Sequence, residues 1–186
     1  MNYLEIGIRC LIGVVFVSSF IGKAANRDAT NAFVESVRDM RLLPQTLARP
    51  VALGVMAAEL AACVLLVVPT PTAAVAGFTI AAGLLIIFTI SIALTLRRGA
   101  HIPCRCFGVS TTTPLGIQHI MRNIALTAFA LMGAAVTPAT GPVEAGGVAI
   151  AVFGGLILGG LFTVIDDLVE LFKPIAESTG ASHSPR

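Results

Sequence analysis

Apolar runs long enough to cross a bilayer recur along this chain, and the polar breaks between them differ in character. The runs cover about residues 4–22, 51–68, 73–96, 115–136 and 148–171. Each is close to the roughly 17 to 25 residues that a helix needs to span a hydrocarbon core about 30 Å thick. Hydrocarbon cannot satisfy backbone N–H and C=O groups, so such runs must close their hydrogen bonds internally. The pattern predicts an all-α fold, a polytopic transmembrane helical bundle of four to five spans. Between Lys23 and Arg49, Phe33, Val37, Met40 and Leu43 recur at three- and four-residue intervals, with Glu35, Arg38, Asp39 and Arg41 between them. That spacing predicts an amphipathic helix lying in the headgroup region, stopped by Pro44. The short uncharged turn Pro69-Thr70-Pro71-Thr72 sets the second and third spans antiparallel. Thr113-Pro114 reads as an N-cap and first helical residue ahead of the fourth span. Residues 1–175 are expected to form one membrane bundle and 176–186 a disordered tail.

Composition removes the soluble alternatives. Of 186 residues, 56% are hydrophobic and 12% charged, against a charged fraction of about 25% in soluble domains. The lipid bilayer is therefore the first partner. The net charge of +2, with cations scattered over loops and no nucleic-acid module, gives no reason to expect a nucleic-acid partner. The N-terminal Met1-Asn2-Tyr3-Leu4-Glu5 lacks a basic leader, so the first run is expected to be a retained helix. Lys23, Arg27, Arg38, Arg41 and Arg49 fall in the first connection and Arg97, Arg98 and Arg105 in the third, while the second and fourth carry no Lys or Arg. The positive-inside bias then puts the N-terminus outside and the third connection in the cytoplasm.

Charges inside spans need partners, because lone ions are costly in lipid. Arg9 and Glu59 are expected to pair, and so are Arg122 and either Asp166 or Asp167. Ion pairs that hold the bundle together are the simpler expectation; a proton or quinone role is the alternative. Gly13, Ser19 and Gly22 offer small surfaces for close helix contact, and Gly155 and Gly159 form a GxxxG pattern.

Chemistry concentrates in the third connection, where Arg97-Arg98-Gly99-Ala100-His101-Ile102-Pro103-Cys104-Arg105-Cys106-Phe107-Gly108 brings together cysteines, cations and turn residues. A disulfide between Cys104 and Cys106 would close a small strained ring, a poor staple but a ready exchanger. Thiolate is the reactive form, and Arg97, Arg98 and Arg105 would stabilise it. Two other readings remain open. The thiols could be inert, or His101, Cys104, Cys106 and His119 could bind zinc or copper; the leading expectation includes no metal. Cys10 and Cys63 lie at similar depth near the opposite face, where they would form a second dithiol or serve as small packing residues.

Arg9 with Gly13, Phe16, Gly22 and Lys23, then Glu59, and above all Arg98-Gly99 followed by Cys104-Arg105-Cys106-Phe107-Gly108, resemble the MauE group of the DoxX-like, redox-associated membrane proteins. The resemblance covers most of the chain apart from the C-terminal tail. It implies a multi-pass protein of the inner cell membrane that assists maturation of methylamine dehydrogenase, through formation or transport of disulfides in the small subunit. Cys104 and Cys106 would then be the working pair of a thiol-disulfide oxidoreductase, with an exported disulfide-containing client. No resident cofactor is expected, and the electron partner would be a thioredoxin-like protein or a quinone. Such a client is oxidised outside the cytoplasm, whereas the basic residues put the dithiol inside. Either electrons pass through Cys10 and Cys63, or the topology is inverted or re-entrant.

Overall fold

The computed structural model describes residues 2–98, 117–138 and 144–171, with side chains described as far as Val164. Helices α1 (Tyr3–Ala24), α2 (Arg27–Asp39), α3 (Gln45–Val67), α4 (Pro71–Arg97), α5 (Ile117–Val136) and α6 (Ala145–Leu171) follow one another without a strand among the described residues. All but α2 are long and apolar enough to cross a membrane, which makes five candidate spans. The expected Thr113-Pro114 cap, the Cys-Arg-Cys loop and the tail lie outside the described residues.

The helix ends follow local chemistry. Asn2 and Glu5 form a reciprocal capping box at the start of α1. Asn26 caps α2 by accepting from the Ala29 N–H at 2.7 Å. Thr70 caps α4 with Pro71 at its first turn, where the missing N–H removes no helical hydrogen bond.

Two boundaries differ from the pattern. Met40 ends α2, and Arg41, at a φ of 47°, turns the chain away. Leu43 therefore leaves the apolar face and is exposed, while Val34 joins Phe33 and Met40 in the buried layer. Pro44 caps the next helix, and α3 starts six residues earlier than the apolar run, with Pro50 inside it. Pro50 lies early in α3, where its missing donor frees only the Thr46 carbonyl near the helix end.

Helix α1 is the axis of the bundle and packs against each of the other five. Its Ile8, Ile12, Val15 and Phe16 meet Ala62 and Leu66 of α3, Phe78, Ala81 and Leu85 of α4, and Leu126 and Ala130 of α5 in one apolar core. A second cluster sits under α2, where Phe33, Val34 and Met40 cover Ala52, Met56 and Ile92. Helix α6 is docked mainly along α1 and leaves Ile150 and Ile157 exposed at 76% and 69%, a surface suited to lipid.

The α1–α6 contact uses the GxxxG pattern. A Cβ added at Gly155 would lie 2.8 Å from the Cys10 Cβ and closer still to the Gly7 carbonyl; one at Gly159 would lie 2.8 Å from the Leu11 carbonyl. Real Cβ atoms do not approach that closely, so both glycines are required by the backbone approach. Gly7, on the facing helix, is the glycine of α1 at this seam. Gly13 does not take its expected packing role, since a Cβ there would meet nothing within 4 Å. Ser19 is a hydrogen-bonding residue, described below.

Overpacking a close helix seam costs roughly 1 to 3 kcal/mol. Gly155→Leu and Gly159→Leu are each expected to lower the unfolding midpoint in detergent. Gly154→Leu, whose Cβ would meet nothing within 4 Å, should leave it unchanged.

Candidate functional site

Among the described residues, two buried polar clusters are built on α1. Near its N-terminus, Arg9 Nη2 donates to Glu5 Oε1 at 2.7 Å, with both side chains buried. The i, i+4 spacing puts the carboxylate one turn ahead of the guanidinium, the better order for such a pair. The other Glu5 oxygen accepts from the Asn2 N–H at 3.4 Å. Arg9 Nη1 reaches α3 and donates to the Leu66 and Val68 carbonyls at 3.3 and 3.0 Å. Carbonyls at a helix C-terminus lack intrahelical donors and carry the negative end of its dipole, so a guanidinium there satisfies and neutralises them. One side chain thus ties α1 to the end of α3.

The second cluster lies toward the other end. Lys23 Nζ donates to Glu59 Oε1 at 2.7 Å and to Ser19 Oγ at 2.5 Å, and Ser19 Oγ donates to the same carboxylate oxygen at 3.1 Å. The rings of Phe33 and Phe88 lie 5.0 and 5.8 Å from the ammonium, close enough for a cation–π attraction. Lys23 and Glu59 are each only 1% exposed. Helical side chains lean toward their own N-terminus, so on antiparallel α1 and α3 these two lean toward each other. Glu59 Oε2 has no hydrogen-bond partner among the described residues.

This geometry corrects the expected Arg9–Glu59 pair. Arg9 leans toward the N-terminus of α1, level with Leu66 and Val68, while Glu59 lies roughly 12 Å further from the α3 terminus at 1.5 Å per residue. The same leaning that joins Lys23 to Glu59 parts Arg9 from it. Glu5 and Lys23 are the partners that the sequence reading missed. Spacing of four residues between Glu5 and Arg9, and again between Ser19 and Lys23, was the available signal. Arg122 is buried on α5 at 6% exposure. Asp166 and Asp167 lie on α6, but their side chains fall outside the described part.

Cys10 and Cys63 are free thiols. Both line a groove of about 500 Å³ between α1, α3 and α6, together with Arg9, Gly13, Val17 and Leu156. Arg97 and Arg98 are exposed at the end of α4, where the Cys-Arg-Cys loop departs. Arg98 Nη1 donates to the Arg41 carbonyl at 3.2 Å, which fastens the root of that loop to the link between α2 and α3. Among the described residues, no three His, Cys, Asp or Glu side chains form a group able to hold a metal. His119 is described on α5, whereas His101, Cys104, Arg105 and Cys106 lie outside the described residues.

Five candidate spans and a buried charge cluster toward each end of α1 define a polytopic membrane protein. The family described as methylamine utilisation protein MauE matches residues 1–136, which takes in α1 to α5 and the cysteine loop. The chain belongs to the MauE family. The methylamine utilization protein MauE of Paracoccus denitrificans is 33% identical over 165 residues, 83% of this chain and 86% of that protein. Its namesake in Methylorubrum extorquens is 34% identical over 165 residues, with the same coverage of 83% and 86%. The one in Methylophilus methylotrophus is 31% identical over 141 residues, 75% of this chain and 69% of that protein. No solved structure matches at a significant level.

Removing one member of a buried ion pair strands the other and costs roughly 3 to 5 kcal/mol, more than removing both. Glu59→Gln and Lys23→Met are each expected to lower the unfolding midpoint sharply. The Lys23→Met, Glu59→Met double variant should lose less than either, as read from a double-mutant cycle in detergent or nanodiscs.

Proposed function

We propose that this protein serves methylamine utilisation as a multi-pass protein of the inner cell membrane, where it exchanges thiols and disulfides during maturation of an exported redox enzyme. The client by family resemblance is the small, disulfide-bearing subunit of methylamine dehydrogenase. One observation carries the reading: the Cys104-Arg105-Cys106 pair falls within the family match, and Cys104 comes six residues after the exposed Arg98. Two cysteines one residue apart suit exchange better than structural bracing, because the ring they close is strained. In the exchange, the dithiol of a thiol partner on the loop's own side attacks the Cys104–Cys106 disulfide through a mixed disulfide, giving that partner's disulfide and two loop thiols. Two electrons and two protons pass to the loop, and a thioredoxin-like protein or a quinone removes them. Arg97, Arg98 and Arg105 would favour the thiolate forms.

Helix α2 and the root of the loop lie at one end of the bundle, joined by the Arg98–Arg41 contact. That end carries the basic residues of the connections. It is the cytoplasmic end by the positive-inside bias, so the loop's immediate partner would be cytoplasmic.

Labelling Cys104 and Cys106 with a membrane-impermeant alkylating reagent from each side, before and after reduction, tests both points. The expected result is labelling from the cytoplasmic side only after reduction. The Cys104→Ser, Cys106→Ser variant should abolish client oxidation while leaving the bundle's unfolding midpoint unchanged. Full client maturation by that variant would refute the exchange. Stoichiometric copper or zinc that is lost on substituting His101 and His119 would replace exchange with metal handling.

A further inference from the structure

Among the described residues, two lateral grooves open from the bundle, and they differ in what lines them. One, of about 320 Å³ between α4 and α5, is walled by Ile86, Ile90, Ile124 and Leu131 with Thr89 and Thr127. Both threonine hydroxyls donate to carbonyls of their own helices, Leu85 and Asn123, at 2.7 Å. Neither hydroxyl proton is left for a ligand, and an acyl chain suffices to fill so apolar a groove.

The groove of about 500 Å³ between α1, α3 and α6 is of another kind. Its rim is apolar and open, with Val17 and Val67 exposed at 42% and 82%. Its wall holds the thiols of Cys10 and Cys63 and the Arg9 side chain. Arg9 is buried and balanced by Glu5, and its Nε–H has no acceptor among the described residues. A neutral carbonyl group fits such a donor better than an anion, because the guanidinium already has its counter-ion. Cys10 sits about 10 Å along α1 from Tyr3 at 1.5 Å per residue, which is inside the hydrocarbon region. A soluble peptide would not reach it. Gly13 lines the groove, and a Cβ there would meet nothing within 4 Å, so this glycine leaves room that helix packing does not use.

We propose that the groove binds the ring of a lipid-soluble isoprenoid quinone and that Cys10 and Cys63 reduce it. The two thiols join as a disulfide and release two electrons and two protons; both quinone carbonyls take one proton each, giving the quinol. A bilayer phospholipid shares the apolar chemistry but has no use for two thiols. The proposal uses neither Cys104 nor Cys106 and stands or falls without them.

The test uses the full chain in nanodiscs, on a Cys104→Ser, Cys106→Ser background, reduced, desalted and mixed with decyl-ubiquinone. Conversion of one quinone per chain is expected, with a Cys10–Cys63 disulfide found by mass spectrometry. Cys10→Ser with Cys63→Ser should remove the conversion. Gly13→Leu, which fills open space, should slow it at least tenfold with an unchanged unfolding midpoint. A photoreactive azidoquinone should label peptides of α1 or α3 and be displaced by decyl-ubiquinone. No conversion on this background, equal conversion without Cys10 and Cys63, or a Gly13→Leu variant as fast as its parent would each overturn the proposal. Because the loop cysteines are absent throughout, none of these outcomes bears on the loop's own exchange.

Discussion

A charge inside a bilayer must find its partner within the protein, and that requirement shapes this bundle more than any apolar contact. Helix α1 carries two buried cations, Arg9 and Lys23, about 21 Å apart along the axis at 1.5 Å per residue. Each is answered differently. Arg9 takes a carboxylate from its own helix and the free carbonyls of the next, so that one guanidinium completes two helix ends. Lys23 takes its carboxylate from α3 and its remaining cover from aromatic rings on α2 and α4. Apolar helices slide against one another at little cost in lipid, where no hydrophobic force acts between spans. The two polar clusters give α1 and α3 a register that leucine and alanine cannot.

The rest of the architecture follows from that fixed pair. Helix α2 lies where Phe33 covers the Lys23 ammonium, and the Thr30 hydroxyl donates to the Lys23 carbonyl at 2.9 Å. An amphipathic helix at a membrane surface is ordinarily held by lipid alone; this one is also held by a buried cation. Helix α6 is fastened at the opposite end. There the Tyr3 hydroxyl accepts from the Glu144 N–H at 2.7 Å, and the Gly155 and Gly159 seam brings two backbones together. The cysteines are distributed accordingly. The cysteine loop leaves from the α2 end, next to exposed arginines, while the membrane thiols of Cys10 and Cys63 sit toward the end where Arg9 caps α3. Along α1, Cys10 and Ala24 are about 21 Å apart at 1.5 Å per residue. A diffusible two-electron carrier in the lipid is a natural complement to thiols placed so far from the loop's roots.

The class of fold, the four to five spans, the amphipathic helix and the short turns were legible along the chain, because these are properties of local composition and spacing. Apolar length decides whether a helix spans, a period of three and four residues decides whether it lies flat, and Thr70 followed by Pro71 marks a helix start wherever it occurs. The MauE likeness was legible for the same reason, in Arg9, Glu59 and the Cys104-Arg105-Cys106-Phe107-Gly108 block. Which charge meets which was settled by how the helices pack. Equal depth suggested Arg9 and Glu59, but the lean of side chains toward each helix's own N-terminus turns these two apart and brings Lys23 to Glu59. That lean acts between helices, through their relative direction and rotation, and a linear pattern of residues does not record rotation. The same holds for the glycines: Gly13 and Gly155 look alike in sequence, yet one opens a groove and the other closes a seam, because a neighbour's backbone lies against the second and not against the first.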